Sequence, residues 1–176
     1  MTLLVLLASV TIGALWGTLA KAGRNENVNR ITSLLRSVRA EAANRGRRFQ
    51  LTFDEEARRP IVSVEDDPFG QPGVFTPYNA WWAERAQLQE GVRVVLCQRT
   101  GDSAFADGGE HVRGPGDGGR SDLSALNFHP DGASDSARII LADSDEDRPW
   151  AVEITLNGVD GSISTREIDT EEEPIE

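Results

Sequence analysis

Met1–Ala20 reads MTLLVLLASVTIGALWGTLA, and residues 21–46 continue it as KAGRNENVNRITSLLRSVRAEAANRG. The first stretch has no ionisable side chain. As a helix rising about 1.5 Å per residue it would be roughly 30 Å long, the thickness of a bilayer's hydrocarbon core. Gly13, Gly17 and the hydroxyls of Thr2, Ser9, Thr11 and Thr18 dilute its hydrophobicity, a pattern of helices that pack on other helices. Trp16 lies where an interfacial aromatic would sit, shortly before Lys21. From Val28 onward apolar residues recur at helical spacing: Val28, Ile31, Leu35, Val38 and Ala42, widened by Leu34. Arg30, Arg36, Arg39 and Glu41 fall on other faces, neither Pro nor a Gly pair interrupts residues 24–45, and Gly46 stands at the expected C-cap among Arg45, Arg47 and Arg48. The simplest reading is one helix of about 45 residues, roughly 65 Å long. Residues 1–20 form its transmembrane half and 21–46 its amphipathic half.

Two other readings of the apolar run are weaker. Ala20-Lys21-Ala22 fits a signal-peptidase site, but no basic region precedes the run, and a signal peptide does not normally flow into an amphipathic helix. A buried core helix fits poorly with an uncharged 20-residue stretch at the N-terminus.

Charge divides the chain in the same place. Residues 1–48 hold eight Lys or Arg against two Glu, net +6; residues 49–176 hold ten basic against 27 acidic residues, net −17. A basic stem on an acidic head marks two surroundings, and an overall charge of −11 argues against phosphate backbone as a partner.

After Gly46 the period changes to two. Phe49–Phe53 alternates as a half-buried strand and pairs naturally with Ile61–Val64 in a hairpin. Residues 66–90 read first as loop and then as core anchors Trp81, Trp82 and Leu88. Further strands are expected at Val92–Leu96, Leu123–Phe128, Ala137–Leu141, Ala151–Leu156 and Ser162–Ile168, with turns at Pro130–Gly132, Asp143–Pro149 and Asn157–Gly161. Residues 101–120 form a flexible Gly-rich excursion, and 169–176 a disordered acidic tail. The fold class is α+β: a long N-terminal helix packed on a mostly antiparallel β head of six or seven strands, spanning 47–168.

Catalytic and ligating side chains are scarce. Cys97 is the single cysteine, and His111 and His129 stand alone. Asp143, Asp145, Glu146 and Asp147 fail the EF-hand template, since Arg148 stands where Gly is needed and Ile154 where Glu is needed; they read as a solvated turn. Gly114, Gly116 and Gly119 match G-x-G-x-x-G without the strand and helix that would make it a phosphate loop. No catalytic, metal-binding or cofactor site is expected.

This architecture resembles the type IV pilins and the type II secretion pseudopilins, and two stretches sharpen the likeness. Met1-Thr2-Leu3-Leu4 with its apolar continuation is similar to the mature N-terminus F-T-L-[IL]-E of those proteins. Leu126–Gly132 (LNFHPDG), Ala137–Leu141, Trp150–Ile154 and Gly158–Ile163 resemble the C-terminal pattern of the GspH/FimT class: F-x-x-D-G, a strand, then v-x-v-x-x-x-t-G-x-v. The chain departs from the pilin pattern at Val5, where pilins carry a Glu that meets a neighbour's N-terminal amine. A basic leader ending in Gly is implied ahead of residue 1, so Met1 reads as a downstream Met or a trimmed start.

The resemblance implies a non-enzymatic minor pseudopilin, single-pass in the inner membrane. Its head would lie in the periplasm, although Lys21 and Arg24 taken alone favour a cytoplasmic head. The implied partners are other pseudopilin or pilin subunits, inner-membrane lipid and a secreted cargo; nucleic acid is not among them, since uptake of DNA by a FimT-like variant would want a basic head. Leu3, Leu4, Leu6, Leu7, Val10, Ile12 and Leu15 would form the assembly helix, and Val28, Ile31, Leu35, Val38 and Ala42 would pack it on the head. The alternatives are an exported or membrane-tethered β-domain binding protein, and a membrane-anchored enzyme with its site in 101–120.

Overall fold

The computed structural model describes residues 2–54, 59–100, 123–143 and 150–168, with side chains from Gly23 onward. Helix α1 (Thr2–Arg45) is unbroken through Ala20–Val28, where stem and head meet. It stops at Gly46, whose φ of +64° lies in the left-handed region that only glycine enters without cost. The Arg47 N–H closes the end by donating to the Ala42 carbonyl at 3.2 Å, a Schellman arrangement.

That reversal drops the chain into strand β1 (Phe49–Asp54), which pairs antiparallel with β2 (Arg59–Glu65), Leu51 opposite Val62. Strand β3 (Phe75–Pro77) joins the outer side of β2, and β5 (Leu126–Phe128) joins β1, giving the sheet order β3-β2-β1-β5. The second sheet, β4-β6-β7-β8, is built from β4 (Val92–Arg99), β6 (Ala137–Asp143), β7 (Ala151–Leu156) and β8 (Ile163–Ile168), all antiparallel. A bulge at Val95 offsets the register of β4 against β6. Helix α1 lies across both sheets, touching β1 and β5 of one and β7 of the other.

The core is the space beneath the helix. Ile31, Leu34, Leu35, Val38 and Ala42 are buried from above, facing Phe49, Leu51, Leu126 and Phe128 of the first sheet and Ile139, Leu141, Val152 and Ile154 of the second. Val28 is half-buried at its edge. The stripe repeats every three or four residues, so a rigid helix presents one continuous apolar face to two sheets at once.

Several sequence expectations need correction. The head has eight strands among the described residues, in two four-stranded sheets. Residues 66–90 are not simply loop, since they contain β3 and one helical turn, α2 (Trp81–Glu84). β3 escaped detection because it is three residues long and ends in Pro77, a residue that only an edge strand accepts. The strand expected at Leu123–Phe128 forms only over Leu126–Phe128, and Leu123 makes a single parallel bridge to Cys97. Trp81 is no core anchor. It is 67% exposed, because α2 turns Trp82 and Ala86 inward in its place. The excursion 101–120, the acidic residues Asp145, Glu146 and Asp147, His111 and the tail from Asp169 lie outside the described residues.

Because Ile31, Leu35 and Val38 are wholly enclosed, truncating one leaves a cavity that two sheets cannot both relax into. I31A or L35A should each destabilise the protein by about 2–5 kcal/mol in urea unfolding, whereas S33A on the exposed face should leave the midpoint unchanged.

Candidate functional site: the helix and the motif that locks it

Three sets of polar contacts hold α1 to the head, each at a different height. Nearest the apolar half, Asn27 is 1% exposed although its neighbours in the stripe are apolar. Its amide nitrogen donates to the Gly23 carbonyl at 3.0 Å and to Gln89 Oε1 at 3.3 Å, and its oxygen accepts the Gln89 N–H at 3.0 Å. Arg30 adds a bond to the Gln87 carbonyl at 2.7 Å. A segment just before β4 is thus strapped across the helix where it enters the head.

Twelve residues further on, Arg39 reaches the C-terminal motif. Its guanidinium donates through Nε to the Gly132 carbonyl at 2.5 Å and through Nη2 to the Val159 carbonyl at 3.3 Å, joining two turns that belong to different strand connections. These turns also bind each other: Ser134 N–H donates to the Gly158 carbonyl at 2.8 Å, and Gly158 N–H donates to Ser136 Oγ at 2.9 Å. Asp135 ties them to β5, its N–H donating to the Asn127 carbonyl at 2.9 Å and its carboxylate accepting from both Asn127 nitrogens. The glycines are dictated by this closeness. A Cβ on Gly158 would lie 1.9 Å from the Ser134 carbonyl oxygen, and one on Gly161, at φ +73°, would overlap the Arg39 guanidinium. Asp160 closes its own turn by accepting the Ser162 N–H at 2.7 Å; this bond, then the Ser162 hydroxyl, holds its carboxyl below the ordinary carboxylate range despite slight burial. His129 flanks the other turn, where its backbone N–H bonds the Ala133 carbonyl.

At the far end, Glu41 Oε1 accepts both the Tyr78 hydroxyl at 2.6 Å and the Arg45 guanidinium, while Arg45 covers the Tyr78 ring and Phe49 meets it edge-on at 5.1 Å. The tyrosine bond first, and the arginine second, keep Glu41 below the usual carboxylate pKa. In the second sheet, burial pushes Glu153 up, but bonds from Arg166 and Arg138 outweigh it and leave the carboxyl lowered.

The helix-to-head residues Val28, Ile31, Leu35, Val38 and Ala42 thus lie together over the two sheets. Leu3, Leu4, Leu6, Leu7, Val10, Ile12 and Leu15 lie on the helical backbone, with side chains outside the described residues. Among the residues whose side chains are described, from Gly23 onward, no helix is long and apolar enough to cross a membrane, and no group of three or more His, Cys, Asp or Glu could hold a metal ion. Sequence reasoning missed Arg39, Asn27 and Tyr78. Arg39 falls outside the apolar stripe and carries no signal in the sequence, whereas the polar Asn27 beside that stripe does.

A long helix laid over antiparallel sheets and tied to the turns near the end of the chain is a pilin-like architecture. The family model described as Type II transport protein GspH matches residues 27–158, from the Asn27 strap to the Gly158 lock, and the chain belongs to that family. Two solved structures of the minor pseudopilin EpsH, from the type II secretion system of Vibrio cholerae, share the fold: each is 15% identical with a TM-score of 0.50, over 81% of this chain and 94% or 96% of the other. No curated protein matches the chain.

The lock makes ranked predictions. G158A forces backbone against backbone and should cost about 3 kcal/mol or more, whereas R39A loses two charge-assisted bonds and should cost about 1.5–3 kcal/mol; chemical denaturation measures both. Glu41 and Glu153 titrate lower in the folded state than in the unfolded one, so the stability they confer is complete above about pH 4.5 and disappears as pH falls through their folded-state values. Thermal melts should therefore be flat from about pH 7 to 5 and decline below that, and E41Q should be less stable at neutral pH with a shallower acid decline.

Proposed function

We propose that this chain is a minor pseudopilin of a type II secretion pseudopilus, without enzymatic activity. Residues 1–20 anchor it in the inner membrane and the head lies in the periplasm. The observation that carries this reading is a single helix whose second half is covered by the head while its first half, Thr2–Ala20, contains no ionisable side chain. Such a rod needs an apolar surrounding for its first half. In the bilayer lipid supplies it; after extraction, the same helices of neighbouring subunits do. Trading lipid for helix contacts changes the free energy little, so an external motor can drive the transfer.

Within the filament, Leu3, Leu4, Leu6, Leu7, Val10, Ile12 and Leu15 form the shared core, and Val28, Ile31, Leu35, Val38 and Ala42 keep the acidic head fixed to the rod. The three sets of polar contacts support this role, since a head that swung on its helix could not place its surface against a neighbour. Val5 removes the carboxylate that a pilin helix offers a neighbour's amine, which suits a subunit with a special position. Family membership and the shared fold support secretion as the setting.

L7K combined with V10K should abolish entry into sheared filaments and lower secretion in a complemented strain, while the head melts as in the parent. Normal secretion by this variant would overturn the reading. A mature N-terminus near Gly23 by mass spectrometry would replace it with an exported β-domain.

A further inference from the structure

Two aromatic side chains among the described residues are strongly exposed, Phe69 at 98% and Trp81 at 67%. Phe69 tips the loop between β2 and β3. That loop is braced by the Glu65–Arg48 pair at 3.5 Å, by Asp67 Oδ1 accepting the Gly70 N–H at 2.8 Å, and by Asp66 held on Arg47 at 2.9 Å. Trp81 has a different setting, because it walls a concave space. An open groove of about 490 Å³ lies between α1 and α2, floored by Leu34 and Trp82. A cavity of about 150 Å³ holds a ring the size of benzene, so the groove admits a large apolar side chain. On α1 it is lined from Glu26 through Arg30 and Ser33 to Ser37, residues three or four apart on one face. The groove therefore runs along the helix for three turns, roughly 16 Å at about 1.5 Å per residue.

Charge narrows what can lie there. Glu26 is spent on Arg30 at 3.1 Å, and Glu84 faces the other side of α2, towards β2. Arg85 stacks its guanidinium 4.9 Å over the Trp81 ring. Arg36, three residues past Ser33, is exposed, and neither it nor Arg85 forms an ion pair among the described residues. Stacking uses the flat face of a guanidinium and leaves its N–H edges to a carboxylate. On a head of net charge −17, this groove is thus edged by uncompensated cations. Its Trp and Arg are the residue types that carry most binding energy at interfaces, and the stack holds both in place before any partner arrives.

We propose that the groove holds the amphipathic helix of a different pilin-like subunit, one that presents a large apolar side chain to Trp81 and, a turn away, a carboxylate to Arg85. The inference rests on the filament reading above and names the kind of neighbour this chain meets. Where helices pack side by side along residues 1–20, the segment that reaches the height of Ser33 is the continuation of a neighbouring helix. This chain's own helix does not fit. Glu26 and Glu41 are the only acids of α1, and both are already bound, to Arg30 and to Arg45 with Tyr78. A second copy would also bring Arg36 towards Arg36 and Arg85, and like charges across an interface exclude a partner. One aromatic contact and one ion pair are weak by themselves, and the packed helices supply the local concentration that makes them effective.

The test places the photo-reactive residue p-benzoyl-phenylalanine at Ser33 of the full-length chain, in cells that assemble the filament. Irradiation, shearing and peptide mass spectrometry should join position 33 to the N-terminal helix of a different pilin-like subunit, within about one helical turn of an Asp or Glu. W81A and R85E should each lower the yield about tenfold, the scale on which a central Trp or Arg contributes to an interface, with the thermal melt unchanged. Changing the mapped carboxylate to Lys should restore the yield of R85E. Chains present in sheared filaments but joined to their own copies, to lipid or to nothing would overturn this inference alone. So would a yield indifferent to W81A and R85E, or one that the charge exchange fails to restore. Chains absent from the filaments would overturn the functional reading and this inference with it.

Discussion

The structure depends on one apolar stripe. Among the described residues, Ile31, Leu34, Leu35, Val38 and Ala42 form the roof the two sheets share, and neither sheet is wide enough to enclose a core by itself. A four-stranded sheet buries one face, and two such sheets side by side still leave a cleft between them. Helix α1 fills it. Hydrophobic burial under the helix therefore does the work of folding and of joining the head to the rod in the same contacts.

Hydrogen bonds then decide where along the rod the head sits. An apolar stripe with helical period tolerates sliding by a turn, since the next apolar residue falls close to the place of the last. Polar groups do not, because a buried donor or acceptor displaced from its partner costs its full desolvation. Asn27, Arg39 and Glu41 lie twelve and two residues apart, each bound to a different part of the head, and no shifted register satisfies all three. The turns gripped by Arg39 are those of the family's C-terminal pattern. Gly158 and Gly161 are present because backbone and guanidinium come so close there that no Cβ fits, whereas Gly132 has the space and is set by its φ of +83°.

For the filament subunit proposed above, a rigid join has a functional meaning. Contacts between heads are useful only if the heads are held at fixed angles to the packed helices. The Glu65–Arg48 pair and the bonds of Asp66 and Asp67 extend that rigidity to the Phe69 loop, the most protruding apolar feature of the described residues.

Much of this was legible in the residues. The change from a period near 3.6 to a period of two at Gly46 located the helix end, and alternation in Phe49–Phe53 and Ile61–Val64 gave the first hairpin, because those signals are local. The five-residue stripe named the helical half of the core for the same reason. Beyond that, linear order was mute. Nothing in the strand patterns says that β5 leaves β6 to join β1, or that the strands divide into two sheets, since pairing partners are chosen by what covers both faces at once. Trp81 and Trp82 are identical as letters, and only the turn of α2 decides that one is packed and the other faces water. Arg39 looks like any exposed charge until two distant turns bring their carbonyls to it. The sequence by itself determined the rod, its apolar face and the presence of a β head. The tertiary structure decided the register of head on rod and the functional surfaces, because these rest on contacts between residues far apart in the chain.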